Sequence, residues 1–348
     1  MSKISISNKW IGEGQPTFII AEIGQGHDGS LGIAHSFIDA VADAGADAVK
    51  FQTHLAEVES TLDEPFRVDF SYEDDSRFSY WKRMEFTQNQ WRGLAEHARE
   101  EGLVFLSTAF SKEAVDLLRT VDIPAWKVGS GEYRSHDLVD YMTDTGLPIL
   151  LSTGMSTYEE IEAMVEIIKA KDTPFAIFQC TSKYPTPLEE VGLNVIDEFK
   201  SRFGCPVGLS DHTESIHSSL AAIFTGIDLL EVHVTFDSKM FGPDTATAVD
   251  FGELATLTHA RDAADIINQN PVDKNEMAES LSGIRSLFGK SIATTEPLDA
   301  GTILTEDLIS AKKPATGIPY EQKNNIIGLR LKTNVDSNRL LKWADLDV

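Results

Sequence analysis

Positive charge is scarce in this chain. Thirty Lys and Arg stand against 55 Asp and Glu, a net charge of −25 over 348 residues. A phosphate-backbone partner such as DNA or RNA needs a basic face, so this balance argues against nucleic acid, and any anionic substrate has to be held by local cations. Acidity of this degree fits a surface adapted to salt as well as it fits plain solubility. Cysteine is nearly absent. Cys180 and Cys205 are the only two and form no CxxC pair, which argues against a thiolate metal cluster and fits a reducing compartment. Apolar runs of about 18 residues are missing, and Met1-Ser-Lys-Ile-Ser-Ile lacks a basic start followed by an apolar stretch. Neither a membrane span nor a secretory signal is expected, and the expected location is the cytoplasm.

What the chain does have is a repeated alternation of short apolar runs and helical patterns. The first run, 17–24, ends at Gly24; Ser30 can then cap a helix in which Ala34, Phe37, Ile38, Val41 and Ala42 recur at helical spacing until Gly45. Further runs follow at 48–52, 103–107, 125–128, 149–152, 175–179, 207–210 and 229–233, with helices expected at 88–101 after Thr87, 112–120, 157–169 and 251–267. Eight strands with intervening helices over about 250 residues predict a closed (β/α)8 TIM barrel rather than an open sheet. The predicted domains are a barrel over 1–268, a polar linker over 269–284 that contains Pro271, and a small domain over 285–348 with strand-like pieces at 290–293, 302–304 and 308–311. About 60 residues make a small core, so this last piece is expected to lean on another surface. The segment 53–86, rich in acids and aromatics, is too long for an ordinary connection and is expected to cover a site or make an interface.

A barrel places its chemistry at the carboxyl ends of its strands. There the sequence sets Glu22, Lys50, Gln52, Thr108, Lys127, Ser152, Tyr184, Ser210, His212 and His233. His212 and His233 close two successive runs, each one or two positions after an acidic residue, and matching strand ends let them share one divalent ion. A pair of histidines that merely hydrogen-bond in a core is the competing reading. Lys50 and Lys127 end apolar strands, where a charge must be paired or serve a ligand, and two lysines suit an anion. Lys127-Val-Gly-Ser-Gly-Glu132 offers two glycines for close backbone approach, the Ser130 hydroxyl and the Glu132 carboxylate; Ser152-Thr-Gly154 adds donors. Either stretch is equally a tight turn. Glu22 faces a lysine or a metal-bound group, with an ion pair to Lys50 as its structural alternative. The prolines of Tyr184-Pro-Thr-Pro187 fix a loop that aims the phenol into the barrel mouth or is simply rigid. Asp211 orients a histidine or caps a turn. Asp244 accepts sugar hydroxyls or is an ordinary turn aspartate.

Taken in order, Ala21-Glu-Ile-Gly, Lys50-Phe-Gln52, Ser107-Thr-Ala-Phe110, Lys127-Val-Gly-Ser-Gly-Glu132, Leu151-Ser-Thr-Gly-Met155, Cys180-Thr, Tyr184-Pro-Thr-Pro187, Gly208-Leu-Ser-Asp-His212, Glu231, His233 and Gly242-Pro-Asp244 resemble the N-acetylneuraminate (sialic acid) synthase family, which includes legionaminate and pseudaminate synthases. The tail from about Arg285, ending in Leu340-Leu-Lys-Trp-Ala-Asp345, resembles that family's antifreeze-like (SAF) domain. The resemblance implies a barrel whose SAF domain closes over the partner's site in a domain-swapped homodimer. It implies condensation of phosphoenolpyruvate with an open-chain N-acyl hexosamine, by default N-acetylmannosamine, to a nine-carbon 2-keto sugar acid with release of phosphate. Legionaminate or pseudaminate formation from a 2,4-diacetamido sugar is the runner-up. By that resemblance His212 and His233 bind Mn2+ or Mg2+, while Lys50, Thr108, Lys127, Ser130, Ser152 and Ser210 hold phosphoenolpyruvate. Gln52, Tyr184 and Asp244 hold the sugar, and Glu22, Lys50, Lys127, Glu132 and Tyr184 form the catalytic set.

Two positions depart from the family pattern. Gly26 stands where the family has Asn, and Lys312-Lys-Pro314 stands where it has Arg before Pro, an arginine that by the resemblance meets the sugar's N-acyl group from the other subunit, leaving Lys313 to do so without a planar two-donor fork. A metal-dependent aldolase on the same barrel and a non-catalytic carbohydrate-binding scaffold are the readings from other classes. The first explains the SAF-like tail poorly, and the second is disfavoured because the charged site positions are all present.

Overall fold

The computed structural model describes residues 3–68 and 70–348, which divide into two compact units, 1–269 and 270–348. The first unit opens with an antiparallel hairpin, β1 (Lys3–Ile6) and β2 (Lys9–Gly12). Eight parallel strands then close into a barrel: β3 (Phe18–Gly24), β4 (Ala48–Thr53), β5 (Val104–Ala109), β6 (Trp126–Val128), β7 (Ile149–Ser152), β8 (Phe175–Cys180), β9 (Val207–Asp211) and β10 (Leu229–His233), with β10 pairing back onto β3. The predicted (β/α)8 fold is therefore observed, with its eight strands near their expected places.

Alternation along the strands builds two layers of core. On β3, Ile19, Ala21 and Ile23 point out against the helices, while Phe18 and Ile20 point inward. The inward cluster also takes in Ala48, Val104, Leu106, Leu150, Phe178 and Leu229, and with them Ile4, Ile6 and Ile11 of the hairpin. Hairpin and barrel thus share one core at the end where the strands begin. Helix starts follow the expected chemistry: Ser30 accepts from the amide of Ile33, and Thr87 and Thr157 form capping boxes with Gln90 and Glu160. Gly208 is required by close approach, because a Cβ there would lie 2.4 Å from the Leu229 carbonyl oxygen.

The segment 53–86, expected to cover a site or make an interface, is largely turns, bends and irregular backbone among its described residues. Within it lie two helices, Ala56–Glu59 and Arg77–Met84, tied by an aromatic cluster of Tyr80, Trp81, Phe66, Phe70 and Phe78 around Met84.

The second unit, 270–348, has its own core of Ile292, Leu298, Leu304, Ile309, Ile318, Ile326, Leu331, Val335, Leu341 and Leu346. Two small antiparallel pairs, β11 (Ser291–Thr294) with β12 (Ile309–Lys312) and β13 (Arg330–Leu331) with β14 (Leu346–Asp347), frame it. Two of the three expected strand pieces are present. The third, 302–304, makes only a single bridge, Ile303 to Arg330, although Leu304 is fully buried. The stretch expected as a linker carries two helices, Lys274–Ser280 and Ser282–Phe288, the first capped by Asp273 accepting from the amides of Asn275 and Glu276. Among the described residues no helix is long and apolar enough to cross a membrane.

Candidate active site

A cavity of about 330 Å3 opens at the carboxyl ends of the barrel strands. Twelve of the residues singled out from sequence line it: Glu22, Lys50, Gln52, Thr108, Lys127, Ser130, Ser152, Tyr184, Ser210, His212, His233 and Asp244. Strand register is what gathers them. Glu22 lies opposite both Lys50 and His233, Thr108 opposite Lys127, and Ser210 opposite Glu231. Glu132 is not among the residues that line the cavity, and Lys313 is expected from a partner copy. Glu132 sits half-buried in the 3-10 turn after β6, outside the cavity wall, and burial raises its carboxyl pKa. Lys313 belongs to the second unit, where its Nζ lies 4.9 Å from the Phe288 ring centroid.

The floor is an alternating array of buried charges. Lys50 Nζ is 2.6 Å from Glu22 and 3.6 Å from Glu231; Lys127 Nζ is 3.2 Å from the other oxygen of Glu231. Lys127 also donates to Ser152 Oγ at 2.6 Å, Lys50 reaches Thr108 Oγ1 at 3.4 Å, and Ser210 donates to Glu231 at 3.1 Å. Burial opposes the charge on Lys50, but Glu22 and Glu231 outweigh it and hold its pKa above the usual lysine value. Lys127, with one carboxylate rather than two, is pulled below that value by burial. Burial alone would raise Glu231, yet Lys127 and Lys50 draw it down to about 2, so it is fully ionised. Burial pushes Glu22 the other way, up to about 7 against the pull of Lys50. Two floor carboxylates in near-identical company are thus set apart, one a fixed charge and one poised near neutral pH.

Beside this array stand the histidines, their ring centroids 5.7 Å apart. His212 Nδ1 lies 3.0 Å from the Thr181 carbonyl oxygen. A carbonyl only accepts, so Nδ1 carries the proton and Nε2 presents its lone pair to the cavity. Burial, then the neighbouring His233, lowers the His212 pKa to about 4, and burial lowers that of His233 too, so both rings are neutral, as metal ligation needs. Tyr184 OH is 3.2 Å from His212 Nε2, and burial keeps the phenol protonated. The donor set therefore fits a divalent cation held by two protein nitrogens. The cluster of Asp39, His97 and Glu101 also gathers potential ligand atoms, within 4.8 Å of one another, but on helices outside the barrel and not at the cavity. Asp211 settles as a turn cap, accepting from the Thr213 amide at 2.9 Å and from Ser218 and Ser219 at 2.5 and 2.6 Å.

Three features escaped the sequence reading of the site. Glu231, expected only as a family motif position, is the hinge of the floor array. Arg67 lies over the Tyr184 ring, 4.2 Å from its centroid, and pairs with Asp244 at 2.5 Å. His54 is sandwiched between Trp81 and Phe110, 3.7 and 4.2 Å between centroids, and bonded to Glu59. Gly154 is needed where it stands, since a Cβ would lie 2.2 Å from Ser182 Oγ, whose partner is Ser130.

Comparison with known proteins agrees with this geometry. The NeuB family matches residues 37–271 and the SAF domain residues 289–347. The human N-acetylneuraminate-9-phosphate synthase is 31% identical over 335 residues, covering 95% of this chain and 92% of that protein. The N,N'-diacetyllegionaminic acid synthase of Campylobacter jejuni is 31% identical, covering 94% and 99%. Among solved structures, the N-acetylneuraminic acid (sialic acid) synthetase of Leptospira borgpetersenii superimposes with a TM-score of 0.72 at 30% identity, over 82% of this chain and 98% of that one. With these likenesses running through both units, the chain belongs to the NeuB family, the sialic and related nonulosonic acid synthases, and carries a SAF domain.

Proposed function

We propose that the chain condenses phosphoenolpyruvate with the open-chain form of an N-acyl hexosamine. A bond forms between C3 of phosphoenolpyruvate and the aldehyde carbon, water adds at C2, and the C2–O bond to phosphate breaks, leaving a nine-carbon 2-keto acid and free phosphate. The observation that carries this reading is the Lys50–Glu231–Lys127 array beside two neutral histidines, an anion seat next to a cation seat at one set of strand ends. N-acetylmannosamine is the default acceptor. A 2,4-diacetamido sugar is the alternative, since one relative is named for N,N'-diacetyllegionaminic acid.

Lys50, Lys127, Thr108, Ser130, Ser152 and Ser210 would bind phosphoenolpyruvate, whose negative charge offsets two desolvated ammonium groups. Gln52, Tyr184 and Asp244 would orient the sugar, with Tyr184 able to donate because its phenol stays protonated. His212 and His233 would hold Mn2+ or Mg2+, which when bound polarises the aldehyde oxygen. Glu22 lies between Lys50 and the Gln52 amide, which donates to it at 2.8 Å, and would take or return a proton near neutral pH. We further propose that the SAF domain pairs with a second copy of the chain; the exposed Leu281, Ile284, Leu287 and Phe288 beside Lys313 support it.

The test is to mix the purified chain with phosphoenolpyruvate, manganese and a panel of N-acyl hexosamines, following phosphate and 2-keto acid. Equal amounts of both are expected. Cleavage of a nine-carbon 2-keto sugar acid to pyruvate and the hexosamine, with no phosphoenolpyruvate consumed, would identify an aldolase, and no turnover with any sugar would overturn the reading. A pH profile tests Glu22 separately. Because its pKa is raised to about 7, the carboxyl is protonated below that value and ionised above it. If it acts as a base, kcat/KM climbs with pH through an inflection near 7, and Glu22→Gln abolishes that inflection along with most of the rate; an unchanged inflection in the variant would assign it to another group.

A further inference from the structure

Four described cations line the cavity, and they fall into two sets. Lys50 and Lys127 occupy the floor. Arg67 and Arg77 come from the segment 53–86 and stand at the rim, and each already has its counter-ion. Arg67 Nη2 is 2.5 Å from Asp244 Oδ1 and also donates to the Pro243 carbonyl at 3.3 Å; Arg77 Nε is 3.1 Å from Glu64 and its guanidinium lies over Trp81. Arg67 is stacked on Tyr184, the phenol expected to orient the sugar. A guanidinium has five N–H donors in a fixed plane. The contacts of Arg67 with Asp244 and Pro243 engage one nitrogen, while stacking on Tyr184 and pairing with Asp244 hold the plane of the rest.

We propose that Arg67 is the specificity-determining residue for the acceptor: it stays paired with Asp244 and offers its remaining N–H donors to an uncharged oxygen of the sugar, so that the acceptor is taken without a phosphate. This rests on the condensation proposed above and narrows its second substrate. The reason is local charge balance. A rim with Arg67 set against Asp244 and Arg77 against Glu64 has no net positive charge to give, so a phosphate dianion would have to displace a carboxylate or lie beside one. A carbonyl or hydroxyl oxygen needs neither and gains a charge-assisted hydrogen bond. The arrangement also supplies, from the barrel unit itself, the planar fork that Lys313 lacks.

The experiment uses the full chain with phosphoenolpyruvate and manganese, and compares N-acetylmannosamine, a 2,4-diacetamido trideoxyhexose and N-acetylmannosamine 6-phosphate. The wild type is expected to favour a neutral sugar over the phosphorylated one by about tenfold or more in kcat/KM. Arg67→Ala should raise the KM of the neutral acceptor about 10–100-fold while the KM for phosphoenolpyruvate stays put, and Arg67→Lys should recover only part of that, since an ammonium is not a fork. Glu64→Gln, which frees Arg77, should shift preference toward the phosphorylated sugar. Arg67 is 39% exposed, so melting curves of its variants should match the wild type, and a KM change with an unchanged melting curve separates recognition from folding. A wild type that prefers the 6-phosphate, or an Arg67→Ala variant that moves both KM values alike or neither, would overturn the inference. Failure of all three sugars would instead overturn the condensation reading beneath it.

Discussion

Replacing Glu231 with alanine is expected to cost the barrel about 3–5 kcal/mol of stability, the usual penalty when one partner of a buried ion pair is removed and the other charge is left behind. Here two charges are left. Lys50 and Lys127 are each 3% exposed, and Glu231 is the carboxylate that both share. Lys50 keeps Glu22 as a partner; Lys127 keeps the Ser152 hydroxyl and the face of the Phe178 ring but, among the described residues, no paired carboxylate. The stranded Lys127, its pKa already below the usual value, would then shed its proton on folding. The sign follows by linkage. The unfolded lysine remains protonated up to about pH 10, the folded one does not, so the unfolded state binds more protons and the variant recovers stability as pH rises. Urea denaturation at pH 6 and pH 9 should show the larger deficit at pH 6. Phosphoenolpyruvate, as an anion for the same two lysines, should narrow the gap between variant and wild type. A loss below about 1 kcal/mol that does not change with pH would mean that the lysines are not charged together in the free protein.

The second large effect is expected at the histidines. His212→Ala and His233→Ala should each weaken manganese binding, read by calorimetric titration of the metal alone, and lower turnover by about 10^2–10^4-fold, the several kcal/mol a Lewis acid supplies. Stability should fall far less than in Glu231→Ala, because loss of a neutral ring leaves a small cavity but no stranded charge, and the Thr181 carbonyl beside His212 still accepts from the Thr186 hydroxyl. His97→Ala, in the cluster outside the barrel, serves as the control and should leave both readouts unchanged. Metal affinity that survives in both His212→Ala and His233→Ala would remove the pair from the metal site. Chelation of the wild type should stop turnover, and added Mn2+ or Mg2+ should restore it.

The barrel was legible because its runs are short, apolar and evenly interleaved with helical spacing, and strand ends are where a barrel must put polar side chains. That logic found Lys50, Lys127, His212 and His233 without any knowledge of their partners. It did not reveal the role of Glu231, because a carboxylate inside Leu229-Leu-Glu-Val-His233 gains its meaning from lysines on β4 and β6, far away in the chain. Arg67 was out of reach for a different reason: the segment 53–86 has no strong period, and the place of its side chain depends on an aromatic cluster that only the folded chain assembles. Asp273 with Glu276 was a readable helix start within the stretch taken as a linker, overshadowed by Pro271 and the polar run around it. The hairpin at 3–12 has a legible signal in the clean alternation of Lys3-Ile-Ser-Ile6, but a run this short does not name the strand it pairs with.

That hairpin has a kinetic consequence. With Ile4, Ile6 and Ile11 packed into the amino end, the barrel is a cup and not a tunnel. The cavity opens at the opposite end, where Arg67 and Asp244 are among its lining residues. Under the proposed condensation, the substrate held by the floor lysines is then expected to add before the one held at the rim, an order that initial-rate kinetics with each substrate varied would read.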